Sequence, residues 1–440
     1  MLETLSLMGA GFVNALSPIN IAAMFLSTAL GVTIGCLPGL SAAMGVALLL
    51  PITFGMPPAT GLIVLGGIYC GAIFGGSISA ILIHTPGTPA SAATAIEGYQ
   101  LTLKGQAAKA LTVACVASFC GGLLSCISLY FFSPALAQLA MQFKSPEYFW
   151  LSLFGLTVIA GVSSKSLLKG LISGFMGLLI STIGMDPMEG VERFMFGQST
   201  LYNGVNVTCA LIGLFSMSQV LILAESRIVE RAKAKAITDK FRLTRPEMKR
   251  ITPPVLRSWI IGNIVGILPG AGVLMGGLVI HGLQPGPELF TTYAGMTYTF
   301  FAGFVIVQFM MLAIGLLGCK GFAQISRVSD AILIPSIVVL CVVGSYAIHN
   351  NIVEVGIMLI FGVLGYLMRK FDFNAAAMVL GLILGPIGER GLRRSLMLSD
   401  GDPSVLFSTP LCWMLIALCV IGILSPLFMN RWEKRMTEQQ

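Results

Sequence analysis

The sequence predicts an all-α polytopic helical membrane protein, with about 10–13 transmembrane or half-membrane helices in two inverted repeats whose broken helices are tipped by Pro-Gly. Three observations carry this. Hydrophobic residues make up 56% of the chain and charged residues only 10%, with a mean hydropathy of +0.89, whereas charged residues alone reach about 25% in soluble domains. Apolar runs of membrane-crossing length recur along the whole chain. The pattern Gly-x-x-x-Gly-x-Leu-Pro-Gly occurs twice with unchanged spacing, as GVTIGCLPG from Gly31 to Gly39 and GNIVGILPG from Gly262 to Gly270.

The apolar runs lie near 19–36, 60–83, 109–132, 148–162, 167–184, 205–224, 256–268, 294–318, 331–348, 352–368, 374–388 and 410–429. A helix needs about 20 residues to cross roughly 30 Å of hydrocarbon, so the shorter runs are expected as half-helices or tilted hairpin arms. The N-terminus lacks the basic n-region of a cleavable signal peptide. Indeed the first basic residue of the chain is Lys104.

The formal charge of +7 is concentrated between Arg227 and Arg257, where Arg231, Lys233, Lys235, Lys240, Arg242, Arg245, Lys249 and Arg250 face only Glu225, Glu230, Asp239 and Glu247. The positive-inside rule places this stretch in the cytoplasm. A nucleic-acid or anionic-lipid site is the alternative for so basic a run, and the near-absence of interleaved aromatics, Phe241 alone, argues against nucleic acid. The stretch also divides the chain into a first repeat unit (1–224), a basic cytoplasmic linker (225–257) and a second repeat unit (258–440). Arg369-Lys370, then Arg390, Arg393 and Arg394, and finally Arg431 to Arg435 are read as further cytoplasmic ends.

Chemistry concentrates in the first unit between Gly31 and Gly98. Its apolar run is broken at Pro38-Gly39 and at Pro86-Gly87, each beside small hydroxyl residues: Ser41 at the first, Thr85, Thr88 and Ser91 at the second. Lipid cannot satisfy freed backbone N–H and C=O groups, so such breaks persist only inside protein or along a wet cavity. Paired Pro/Gly interruptions in two halves point to the midplane site of a secondary transporter. Between the breaks, Gly67, Gly71 and Gly75 share one helical face and read as a helix-packing seam, followed by Gly76, Ser77 and Ser79. Glu97 and Tyr99 suit an interfacial position. His84 reads as a satisfied imidazole rather than a proton carrier. The ten cysteines lie mostly within apolar runs and read as small core hydrophobes. Lys144 to Trp150 and Met185 to Gly197 are expected as loops, with Pro146 and Pro187 as breakers. No H-E-x-x-H or G-x-S-x-G pattern occurs, so enzymatic chemistry is not expected.

Several blocks resemble the large membrane subunit of the tripartite tricarboxylate transporter family, binding-protein-dependent carriers of the bacterial inner membrane. They are Leu37 to Gly55, Gly66 to Ser91, Gly184 to Pro187, Leu268 to Gly272 and His281 to Pro287. The resemblance implies carboxylate import, with a small membrane subunit and a periplasmic solute-binding protein as partners and Na⁺ or H⁺ as the coupling ion. No other cofactor, no metal centre and no nucleic acid are implied. The substrate site is then expected at Pro38, Gly39, Leu40, Ser41, Ser77, Thr85, Pro86, Gly87, Thr88, Pro269, Gly270, Ala271 and Gly272. No Lys or Arg lies near these breaks, so anion recognition falls to helix N-termini and backbone N–H groups with the hydroxyls of Ser41, Thr85 and Thr88.

The second repeat departs from the family pattern. In the first repeat 46 residues separate Gly39 from Pro86; in the second, 14 separate Gly270 from Pro285. As a helix, 14 residues cover about 21 Å, less than the hydrocarbon thickness. Half of the second clamp is therefore read as deleted after Gly272, which makes a transport-impaired or non-transporting membrane scaffold the alternative function.

Overall fold

A computed structural model describes the chain except residues 1, 38–39, 85–87, 89–90, 141, 163–166, 187, 226–242, 268–286, 326–329 and 423–440. Its regular elements among the described residues are helices, apart from one short antiparallel pairing of Gly184–Met185 with Glu192–Arg193. Seven helices among them are long and apolar enough to cross a membrane: Pro18–Cys36, Pro58–Ile83, Ala107–Ala135, Val207–Glu225, Ala294–Cys319, Ile352–Lys370 and Ala375–Leu398. Ala42–Gly55, Leu168–Ser181, Ile334–His349 and Pro410–Gly422 are shorter apolar helices. The protein is thus an all-α, multi-pass membrane protein.

The described residues form two compact units that interleave in sequence. One gathers those of Met1–Gln138, Phe215–Val265 and Val273–Asn351; the other gathers those of Leu139–Leu214, Gly266–Gly272 and Ile352–Gln440.

The first unit is built around α4 (Pro58–Ile83), of which most side chains are buried. Before it come α1 (Leu2–Ala15), α2 (Pro18–Cys36) and α3 (Ala42–Leu49); after it come α5 (Ala92–Leu103) and α6 (Ala107–Ala140). The glycine seam joins α2 to α4. A Cβ at Gly31 or Gly35 would fall on the carbonyls of Ile68 and Ala72, and one at Gly71 or Gly75 on those of Thr28 and Val32. Residue numbers rise together along both helices, so α2 and α4 run parallel. Around this pair Val32, Phe74, Ile78, Leu111 and Met311 share one apolar core.

The second unit holds α7 (Ser145–Val162) and α8 (Leu167–Ser181). Lys144 to Trp150 is not the expected loop. Helix α7 starts at Ser145, Pro146 occupies its first turn, where a missing N–H costs nothing, and Glu147 Oε2 accepts from the Lys144 N–H at 2.8 Å. Residues 184–197 do form a loop. The span Val207–Glu225 follows, with α9 (Val207–Leu211) and α10 (Ser218–Glu225) joined by a π-helical turn at Ile212–Met217.

Helix α11 (Arg245–Ile267) extends into the basic stretch expected as a linker. Its start is marked by Thr244 and Glu247, whose carboxylate accepts from both the Thr244 N–H and its hydroxyl, the carboxylate half of a capping box. The remaining long helices are α12 (Ala294–Ile325), α13 (Asp330–His349), α14 (Ile352–Lys370), α15 (Ala375–Leu398) and α16 (Pro410–Gly422).

Helix α15 separates two of the basic groups. Arg369 and Lys370 precede it by a short turn, whereas Arg390, Arg393 and Arg394 sit in its final turns. From Ala375 to Arg393 the helix rises ~27 Å. At its far end Glu389 and Arg393 bond to the 184–197 loop. Arg193 pairs with Glu389 at 2.6 Å, and Arg393 with Asp186 at 2.7 Å. Hydrogen bonds from the Met188 and Glu189 N–H groups, with Arg393 and Arg193 close by, hold the Asp186 carboxyl below its ordinary range. Trp150 Nε1 donates to Leu406 O at 2.8 Å and Trp413 Nε1 to Phe407 O at 3.0 Å. Indoles with a bonded N–H and an apolar ring are the type enriched at membrane–water boundaries.

Candidate functional site

Both breaks of the first unit lead into helix N-termini. The described chain leaves α2 at Leu37, re-enters at Leu40 and begins α3 at Ala42. Ser41 caps that helix, its Oγ accepting from Met44 N at 3.1 Å. Leu40 is buried, and its N–H donates to Leu37 O at 3.2 Å. At the second break α4 ends on His84, a left-handed residue with φ 55°. Its Nδ1 lies 3.1 Å from Ala95 O and its ring stacks near Tyr99, with centroids 4.7 Å apart. His84 is accordingly a structural cap. Thr88 and Ser91 follow, and α5 starts at Ala92.

Because α2 and α4 run parallel, the last turns of α2 lie beside Ala72 and Gly75 of α4. Val32, one turn before the end of α2, rests on Gly75 of α4. Thr88 and Ser91 fold back to the adjacent Gly76, where a Cβ would strike Thr88 Oγ1 and would lie 2.9 Å from Thr88 N and 3.1 Å from Ser91 Oγ. Thr88 and Ser91 are bonded to each other: Ser91 Oγ donates to Thr88 O at 2.7 Å, and Thr88 N donates to Ser91 Oγ at 3.3 Å. The Thr88 hydroxyl is buried and has no hydrogen-bond partner. A buried hydroxyl left open in this way carries a desolvation cost of about 1–3 kcal/mol unless something bonds to it. It is the most ligand-ready group of the site.

Gly76, beside the expected Ser77, is the residue against which the returning chain packs. Ser77 is half-buried, and it is Gly76 against which Thr88 and Ser91 rest. The signal was present in the Gly75-Gly76 doublet, since one glycine serves the seam with α2 and the next serves the returning chain. Pro38, Gly39, Thr85, Pro86 and Gly87 lie outside the described residues, as do Pro269, Gly270, Ala271 and Gly272 of the second repeat. Among the described residues no group of three or more His, Cys, Asp or Glu side chains could hold a metal ion.

A bundle with seven helices long and apolar enough to cross a membrane among its described residues defines the class of polytopic helical membrane proteins. The chain belongs to the Tripartite tricarboxylate transporter TctA family, whose family model matches residues 21–274 and 272–380. It is therefore a multi-pass inner-membrane protein of a transporter family, not an enzyme. The family context implies a tripartite system with a small membrane subunit and a periplasmic binding partner.

Two relatives from Agrobacterium vitis are similar to it. A 52.8 kDa protein of the TAR-I ttuC' 3' region is 31% identical over 502 residues, covering all of both chains. A protein of the TAR-II ttuC' 3' region is 27% identical over 173 residues, covering 39% of this chain and 72% of its own. No solved structure matches the chain. The two family-model stretches meet at residues 272–274. The present chain is 46.6 kDa, lighter than the first relative, whose alignment with its 440 residues runs over 502 positions.

Proposed function

We propose that this chain is the permease subunit of a secondary transporter that imports a carboxylate of the tri- or dicarboxylate class, delivered by a periplasmic solute-binding protein and coupled to Na⁺ or H⁺ symport. The observation that carries the reading is the open, buried hydroxyl of Thr88 against Gly76, on the stretch that leads into the N-terminus of α5, as Ser41 leads into that of α3. Those ends offer N–H groups and partial positive charge to an anion. With no Lys or Arg nearby, a symported cation offsets the substrate charge, and carbonyls freed at the breaks coordinate it. Such a cradle binds without an ionic clamp and releases readily on the cytoplasmic side. The test is uptake of a radiolabelled tricarboxylate into proteoliposomes containing this chain with its small subunit and binding protein. Uptake that needs all three components and an ion gradient supports the reading.

A second reading, a transport-impaired chain or membrane scaffold, is favoured by the way the family match divides at 272–274 and by the shorter Gly270-to-Pro285 spacing. A scaffold takes up no substrate under any ion gradient.

Orientation follows from the basic stretch. With it in the cytoplasm, the span Val207–Glu225 places residues 184–206 in the periplasm. Protease applied from the cytoplasmic side is expected to cut between Arg231 and Arg250, preferentially before Thr244, where the α11 cap begins. Cleavage from the periplasmic side alone would invert the topology.

A further inference from the structure

We propose that a groove between α6 and α11 is a binding site for an anionic phospholipid, holding one acyl chain along its length and the headgroup phosphate at Arg250. Both helices belong to the first compact unit. They are tied together near one end by the Lys109–Glu247 ion pair and further along by Trp259 Nε1, which donates to Ser128 Oγ at 3.0 Å. Between the ties they stay apart, enclosing about 610 Å³.

The groove has a sequence cause. Ala117, Gly121 and Ser125 of α6 and Pro254, Ser258 and Gly262 of α11 line it, each set spaced by four residues and hence on one helical face. Small residues at this spacing let two helices close on each other, yet a Cβ at Gly121 or Gly262 would meet open space. Pro253 and Pro254 stand inside α11, where proline bends a helix and keeps the two faces from closing.

The occupant follows from length, width and charge. From Arg250 to Gly262 the groove runs ~18 Å along α11, close to the depth of one leaflet of a roughly 30 Å hydrocarbon core. Spread over that length, 610 Å³ gives a cross-section of roughly 34 Å². That suits an alkyl chain, whereas an α-helix with its side chains is ~10–12 Å across. The walls are predominantly apolar, and Arg250 stands at the mouth. Arg245 and Lys249 lie on the same turns, all three are exposed, and among the described residues no ion pair engages them. Glu247, the one acid on these turns, is neutralised by Lys109, which with the Thr244 bonds holds its pKa down at about 2. The mouth is thus cationic at any physiological pH. Basic pockets between transmembrane helices are an established setting for anionic headgroups.

The experiment is lipid retention by the purified chain, read by native mass spectrometry and by thermal unfolding. The chain is reconstituted in phosphatidylcholine vesicles with and without phosphatidylglycerol. The expected result is selective retention of phosphatidylglycerol and a higher unfolding temperature in its presence. Replacing Lys249 and Arg250 together by Gln is expected to cut the preference roughly thirtyfold, at about tenfold or less per basic residue. Gly121→Leu, which points into open space and leaves every charge in place, is expected to displace the lipid while the chain stays folded. Equal retention of both lipids by the native chain overturns the proposal. So does an undiminished preference in the Gln variant, or undiminished retention in Gly121→Leu, which would assign the attraction to the open surface.

Discussion

Gly76→Val is expected to abolish uptake while leaving the protein inserted and folded. A Cβ at position 76 falls on Thr88 Oγ1 and presses on Thr88 N, so the returning segment must move and the open hydroxyl moves with it. The added methyl groups of valine demand a further shift of Thr88 and Ser91. If Thr88 and one neighbouring N–H are lost as donors, at roughly 1.5–3 kcal/mol for each bond to a charged group, binding weakens about a hundredfold or more. Gly39→Val and Gly87→Val are expected to act alike, since a β-branched side chain blocks close backbone approach at either break. Gly35→Val is the instructive contrast. Its Cβ meets the backbone carbonyl of Ala72 across the α2–α4 seam, so that variant is expected to lose folded protein rather than activity alone. Measured together, amount of folded protein and uptake per folded molecule separate the two classes. Full uptake by the Gly76 variant would remove the Pro-Gly pocket from consideration.

The sequence resolved some of these features better than others, for physical reasons. Long spans were legible because apolar length is a one-dimensional property: runs near 19–36, 60–83 and 294–318 match Pro18–Cys36, Pro58–Ile83 and Ala294–Cys319 within a residue or two. The glycine seam was legible because spacing by four fixes a face, and the structure places α2 on that face. The runs at 352–368 and 374–388 read short because charges end the hydrophobic stretch before the helix ends. Helix α15 continues through Glu389, Arg390, Arg393 and Arg394 to Leu398, where Arg393 finds the Asp186 carboxylate and Glu389 the Arg193 guanidinium. Hydropathy cannot see such tertiary ion pairs. The helical start of α11 was hidden for a similar reason, since Glu247 was counted as linker charge rather than as the partner of Thr244 at a helix start. The convergence of Thr88 on Gly76 depends on the chain reversing at left-handed His84, a non-local event that no spacing rule encodes.

Restoring to this chain the segment that follows Gly272 in a full-length relative is expected to raise uptake from little or none to a level set by two clamps instead of one. The reasoning runs from spacing to energy. In the first unit 46 residues between Gly39 and Pro86 suffice for α3 and the whole α4 crossing. The corresponding 14 residues between Gly270 and Pro285 span about 21 Å even as a helix, too little to cross and come back. The family match divides at 272–274, and the 52.8 kDa relative aligns over 502 positions, both in keeping with a deletion there. An anion facing a single clamp keeps about half its donors. Each missing charge-assisted bond is worth roughly 1.5–3 kcal/mol, so losing two weakens binding about a hundredfold or more. Uptake should therefore be poor in the chain as it stands and recover on restoration, with the small subunit and binding protein present in both assays. Robust uptake by the unrestored chain would show that the first clamp suffices.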